Sequence, residues 1–324
     1  MLRPLAFVTA LIAFPLFAHA ECARGYTQLS KSDDISVCQL DLDPVIINDN
    51  HPSIIYTTAG DEGTGPTWFV GGDPQDYMND EHYSNFCASP AFSVNGAALV
   101  VNFTGTDITW IGKIGPNFGI AHWLVDGGVM SGDFDAYNPT LIAQNNNVVI
   151  SGLPAGSHSL KIEVTCNKNA SSSNFFQVID AFNITGSPLT LDQASVAGYN
   201  SPALSFSGPW TCAASSQGND LSGGHCFSNV PNASISWTFT GSLIEFWGRP
   251  NLENGIFQVL IDGTQYAIID GHFGTADIDE LNGYPFFQAS VPSGTHTITI
   301  VNTGTKNPAA TNTFVQIDMF AAFQ

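Results

Sequence analysis

Apolar and polar residues alternate with a period of two along much of this chain. Ile235, Trp237 and Phe239 share one face while Ser234, Ser236 and Thr238 share the other, and Leu99, Val101 and Phe103 repeat the pattern. Leu160, Ile162 and Val164 do so again after a Gly-x-His turn. A period of two sends successive side chains to opposite faces of a strand, so these segments are predicted to be half-buried strands. Asp126-Gly127 and Asp262-Gly263 follow apolar runs and read as tight hairpin turns. No long stretch shows a 3.6-residue period. Many short strands joined by Gly-rich turns predict an all-β sandwich or jelly roll.

The pattern occurs twice. Residues 103–127 align without gaps on residues 239–263, and ten of the 25 positions are identical. Phe103/Phe239, Gly105/Gly241, Gly112/Gly248, Leu124/Leu260 and Asp126/Asp262 are among them, and Lys113/Arg249 keep a positive charge. The match resumes with Pro154/Pro292, His158/His296, Phe176/Phe314, Asp180/Asp318 and Phe182/Phe320. Such self-similarity marks a repeated structural unit. The predicted organisation is a signal peptide over 1–20, a short disulfide-clipped segment over 21–44, and two sandwiches over 45–187 and 188–324. A short linker near 186–191 leads us to expect sandwiches packed on one another rather than swinging freely.

Phe-Thr-Gly-x-x-Ile, then Leu-x-Asp-Gly, then Gly-x-His and an Ile-Asp strand together resemble the galactose-binding-like β-sandwich superfamily, which includes carbohydrate-binding modules and discoidin-type domains. The segment from Asn48 to Tyr56 looks more specifically like tandem-module secreted proteins of fungi. The resemblance implies two tandem jelly-roll domains. It implies little about function, because in such families the matched residues build turns and core.

Composition fixes the compartment and excludes some partners. Arg3, the apolar run from Leu5 to Phe17 and Ala18-His19-Ala20 form a secretory signal with a cleavage site, so a secreted, extracellular protein is expected. No later segment reads as a membrane span. The formal charge of −20 repels nucleic acid and anionic membranes. Six cysteines in an oxidising compartment read as disulfides, with Cys22–Cys38, Cys87–Cys166 and Cys212–Cys226 as the expected pairing because each stays within one unit. Asn102, Asn169, Asn183 and Asn232 begin sequons and are expected glycosylation sites.

The repeated polar residues have structural explanations. His158 and His296 lie on apolar strand faces, Asp126 and Asp262 suit a hairpin end, and Asp180 and Asp318 are expected to pin a loop from within apolar strands. The unshared residues are the better functional candidates. Asp73, Asp76, Asp80 and Glu81 form an acidic group able to hold calcium, the one cofactor considered; a second such group includes Asp270 and His272. Sugar rings stack on aromatic faces while polar neighbours fix their hydroxyls. Trp68, Tyr77, Tyr83 and Trp123 in the first copy, and Trp210, Trp247 and Tyr284 in the second, are therefore the candidate ligand-binding residues. No Gly-x-Ser-x-Gly elbow, metalloprotease helix or phosphate loop occurs. The expected function is non-catalytic recognition of a cell-wall carbohydrate. The competing expectation is a cofactor-independent secreted enzyme acting on a glycan or a small molecule, with its pocket in or between the sandwiches.

Overall fold

The structure is a computed structural model that describes residues 26–31, 36–40, 44–59, 68–85, 96–215, 220–273 and 281–324. The expected signal segment, Cys22, Cys87, the side chain of Cys38 and residues 274–280 lie outside the described part. The chain divides into two compact units, Met1–Asp41 and Leu42–Gln324. In the first, Tyr26–Lys31 and Ser36–Leu40 pair as antiparallel strands with a register shift between Gln28 and Ser30.

The second unit is all-β, with antiparallel sheets folded into sandwich-like layers, and it holds both copies of the repeat. The first copy is organised around the long strand Ala98–Ile114. Its first half pairs with Gly156–Val164 and Ile54–Tyr56, and its second half with Ile142–Ile150. Ala181–Leu189 runs along much of it, with a register shift between Thr185 and Gly186. Gly105 sits at that bend with φ +156°, where a Cβ would come 2.1 Å from the Thr185 carbonyl oxygen. One strand thus serves both layers because a glycine lets the backbones cross there. The expected alternation holds inside: Leu99, Val101, Phe103, Leu160, Ile162 and Val164 are all fully buried in one cluster with Ile108, Trp110 and Phe182.

The second copy repeats the plan on Ser234–Gly248, flanked by Tyr284–Thr305 and Val315–Phe323. A single strand, Tyr284–Thr305, does the work that Ile142–Ile150 and Gly156–Val164 share in the first copy. Its core gathers Ile235, Trp237, Phe239, Phe246, Phe257 and Phe320. Burial of each such side chain contributes about 1.5–3 kcal/mol. The outer face carries hydroxyls instead: Thr238 bonds Thr297 at 3.0 Å, Thr240 bonds Thr295 at 3.1 Å, and Thr299 donates to Ser236 at 3.0 Å.

The copies are packed together, as the short linker implied. Ile55 and Val100 of the first copy meet Trp247 and Met319 of the second. Leu189, which ends the last strand of the first copy, and Leu191 and Ala194 after it cover Leu243, Ala321 and Phe323. Thr58–Ala59 pairs with Leu281–Asn282 across the junction. Cys212–Cys226 is a disulfide, as expected, and Cys166 is disulfide-bonded as well.

Candidate functional site

Two places gather chemistry, the loop end of the first copy and the junction between the copies.

At the loop end, the chain from Gly72 to Asp80 folds back tightly enough that a Cβ on Gly72 would lie 2.6 Å from the Asn79 carbonyl oxygen. The turn Tyr77–Asn79 includes Met78 at φ 59° and Asn79 at φ 65°. Non-glycine residues in this region store strain that the surroundings must hold. A buried clamp holds it. Lys113 Nζ stands 2.9 Å from Asp76 and 2.7 Å from Glu81. Asp180, wholly buried, accepts the Tyr77 N–H at 2.7 Å. Burial pushes the Asp180 carboxyl up to about 6, with the Tyr77 N–H opposing it. Asp80 accepts the Asn48 and Asn50 amides at 3.0 and 3.2 Å, and Asp49 meets His82 at 2.6 Å.

The second copy builds the same clamp from different residues. Arg249 Nε lies 3.5 Å from Asp220, His225 lies 3.0 Å from Asp220, and Asp318 accepts the Leu221 and Ser222 N–H groups at 2.6 and 2.9 Å. Burial raises Asp318 to about 6 as well. The expectation that Asp180 and Asp318 pin loops is met in both copies. It also redefines the acidic group. Asp76 and Glu81 share Lys113, Asp80 is bound by amides, and Asp73 caps the Gln75 N–H at 2.9 Å. Among the described residues no three acidic, His or Cys groups converge as metal ligands.

What the clamp presents is aromatic. Phe69, 45% exposed, faces Tyr83 at 5.7 Å, and Tyr83 faces Phe176 at 6.0 Å. Val70 and Met78 are exposed as well, and Tyr77 is half-buried. The other aromatic candidates lie elsewhere. Trp68 is buried and donates to the Ala98 carbonyl at 2.9 Å. Trp247 is fully buried at the junction, and Tyr284 is 5% exposed there, so neither offers a ring to solvent. Trp123 is half-buried against Gly132, and Trp210 packs on Phe206 at 6.1 Å. Of the sequons, Asn232 is exposed at a turn and Asn169 and Asn183 are half-buried. Asn102 is 1% exposed and lies beside Glu245 of the second copy, where a glycan would have to displace the packed neighbour.

The junction holds residues that the sequence reading missed. Glu245 is wholly buried, and burial pushes it up to about 7. Trp247 Nε1 donates to its Oε2 at 2.9 Å, while the Asn102 and Ser159 side chains stand next to it outside hydrogen-bond geometry. Lys161 pairs with Glu163 and lies 4.6 Å over the Tyr284 ring, whose hydroxyl donates to Glu163 at 2.8 Å. A carboxylate between Ile244 and Phe246 in an apolar run was the available signal for Glu245. An open cleft of about 430 Å³ lies on this junction, lined by the 126–129 turn, Lys161, Tyr266, Phe287 and Gln288.

The two repeated histidines are hydrogen-bonded, as expected. His158 bonds Asp126 at 2.7 Å and the Pro154 carbonyl at 2.6 Å, and His296 repeats both contacts at 2.7 Å with Asp262 and Pro292.

No protein-family model matches this chain, and no curated protein matches it. Among solved structures it resembles a xanthan lyase of Paenibacillus, with TM-score 0.29 and 15% identity over 90% of this chain and 27% of that one. It also resembles a two-domain esterase active on acetylated mannans, with TM-score 0.31 and 14% identity over 43% of this chain and 39% of that one. The extracellular domain of ANXUR2 from Arabidopsis thaliana matches with TM-score 0.26 and 7% identity over 84% and 88%. This chain thus spans well under half the length of the first two. Likenesses this slight carry no argument about function. No helix among the described residues is long and apolar enough to cross a membrane.

Proposed function

We propose that this chain is an extracellular glycan-binding protein that performs no chemistry on its ligand. The observation that carries the reading is the Phe69–Tyr83 ring pair, presented at the loop end beside a strained turn that a buried ion pair and buried carboxylates hold in place. Such a platform is organised before the ligand arrives, so little ordering is lost on binding. Rings of this kind stack on the C–H face of a sugar. The nearby carboxylates are bound to Lys113, to amides or to backbone N–H groups, which suits holding a loop better than moving a proton.

A catalytic reading of the junction asks for a free base near the cleft. Asp126 and His158 are the nearest pair, yet both ring nitrogens of His158 are engaged, and the arrangement recurs at His296 away from the cleft. The binding reading is tested by affinity electrophoresis through gels containing mannan, xylan, laminarin or galactan. Retardation by at least one polymer, reduced in the Phe69→Ala/Tyr83→Ala double variant, supports it. Migration unchanged by every polymer sinks it.

A further inference from the structure

We infer that the cleft between the two copies is a second carbohydrate site, sized for one or two pyranose rings, with Tyr266 as its stacking face. The inference rests on the reading of the chain as a glycan-binding protein and extends it to a site that neither copy has alone.

The cleft exists because the copies dock. Its first wall is the 126–129 turn of the first copy, where Gly127 brings backbone without a side chain up to the second copy. Its second wall is Tyr266, half-exposed and backed edge-on by Phe287 at 6.4 Å, with Ala267 and Ile269 alongside. Lys161 lines the interior, and its side chain is only 7% exposed. Exposed Ser290 completes the polar margin. A volume near 430 Å³ lies within the usual range for small-molecule sites.

The lining selects the class of ligand. The charged groups in the wall are already engaged, Lys161 by Glu163 and Asp126 by His158, so neither is free to hold an ion. The protein's formal charge of −20 further disfavours an anion. What remains is an aromatic face opposite the Gly127–Val129 turn, with the Ser290 hydroxyl at the margin. A neutral ring with one apolar face and a rim of hydroxyls fits this, its apolar face on Tyr266 and its hydroxyls towards Ser290 and the turn backbone. The turn equivalent to the first wall, at Asp262-Gly263, has nothing within 4 Å of a Cβ on Gly263 and so forms no such cleft.

The test uses the full chain in the same polysaccharide gels. Tyr266 is half-exposed, so Tyr266→Ala should fold normally, and Tyr266→Phe keeps the stacking face. On the polymer that retards the wild type most, Tyr266→Ala should weaken binding about tenfold, and Tyr266→Phe should restore most of it. Loss of one stacked ring is an effect of this size. In the Phe69→Ala/Tyr83→Ala background, adding Tyr266→Ala should abolish the remaining retardation. If Tyr266→Ala binds as the wild type does in both backgrounds, the cleft is not a sugar site, whatever the loop end does. If instead the loop-end variant is unchanged and Tyr266→Ala loses binding, the cleft stands and the loop-end reading falls. Displacement of a neutral naphthylamine dye from the cleft by none of the polymers, with tight dye binding, would reassign it to apolar molecules.

Discussion

A Cβ built on Gly127 would lie 1.7 Å from the main-chain oxygen of Gln288, so the hairpin turn of the first copy rests directly on the backbone of the second. The equivalent Gly263 has a similar φ, +76° against +70°, and open space around it. The two glycines therefore separate conformational from steric need.

Alanine at either position meets the same left-handed strain, of about 1 kcal/mol. Gly127→Ala must in addition push the copies apart, an overpacking cost of about 1–3 kcal/mol. Urea unfolding of the two variants should show the larger loss for Gly127→Ala. Equal losses would mean that the junction yields without cost.

Acidity should strengthen the molecule through Glu245. In the unfolded chain this carboxyl ionises near 4.5, and in the folded protein near 7. Between those values the folded state keeps a proton that the unfolded state has lost, so stability is full below about 4.5 and falls as pH rises towards 7. The whole fall is about 3 kcal/mol. Asp180 and Asp318 act with the same sign, from 3.8 up to about 6. Glu245→Gln should thus flatten the stability profile between pH 6 and 7 while leaving a slope below it, as measured by denaturant midpoints across pH.

Lys113 holds two carboxylates that have little access to water. Lys113→Met leaves them unpaired and should cost about 3–5 kcal/mol. Lys113→Arg should be tolerated, because Arg249 fills the same place in the second copy. Thermal unfolding of both variants checks the contrast, and equal destabilisation would show that the clamps are not interchangeable.

Where the chain passes through a glycosylating secretory route, glycopeptide mass spectrometry should find Asn232 occupied and Asn102 empty. Asn232 sits exposed in a turn, and Asn102 lies under the second copy. An occupied Asn102 in folded protein would mean that the copies do not dock as described.

The alternation of Leu160, Ile162 and Val164 was enough to place them inside, because a strand's core face depends only on its own period. Ser159, Lys161 and Glu163 alternate with them on the opposite face, and all three are buried as well, since the second copy covers that face. Trp247 was misjudged for a related reason. Its strand is covered on both sides around Ile244 and Phe246, and a strand buried on both faces loses the alternation that marks an inside. The repeat exposed Lys113/Arg249 and Asp180/Asp318, whereas their partners Asp76 and Asp220 sit in loops of unequal length and fell out of alignment. Phe69 escaped notice because nothing in the sequence marks a phenylalanine as exposed.

The hydroxyl face formed by Ser236, Thr238, Thr240, Thr295, Thr297 and Thr299 occupies, by the internal alignment, the position that Asn102, Ser159 and Lys161 occupy in the first copy. In the first copy that surface is glued to its neighbour with help from Ile55 and Val100; in the second, Ser205 and Ser236 stand in the places of those two apolar residues, among hydroxyls that bond one another. A head-to-tail contact that could repeat indefinitely would grow a filament. The threonines deny it an adhesive surface, much as a polar terminal repeat ends a solenoid.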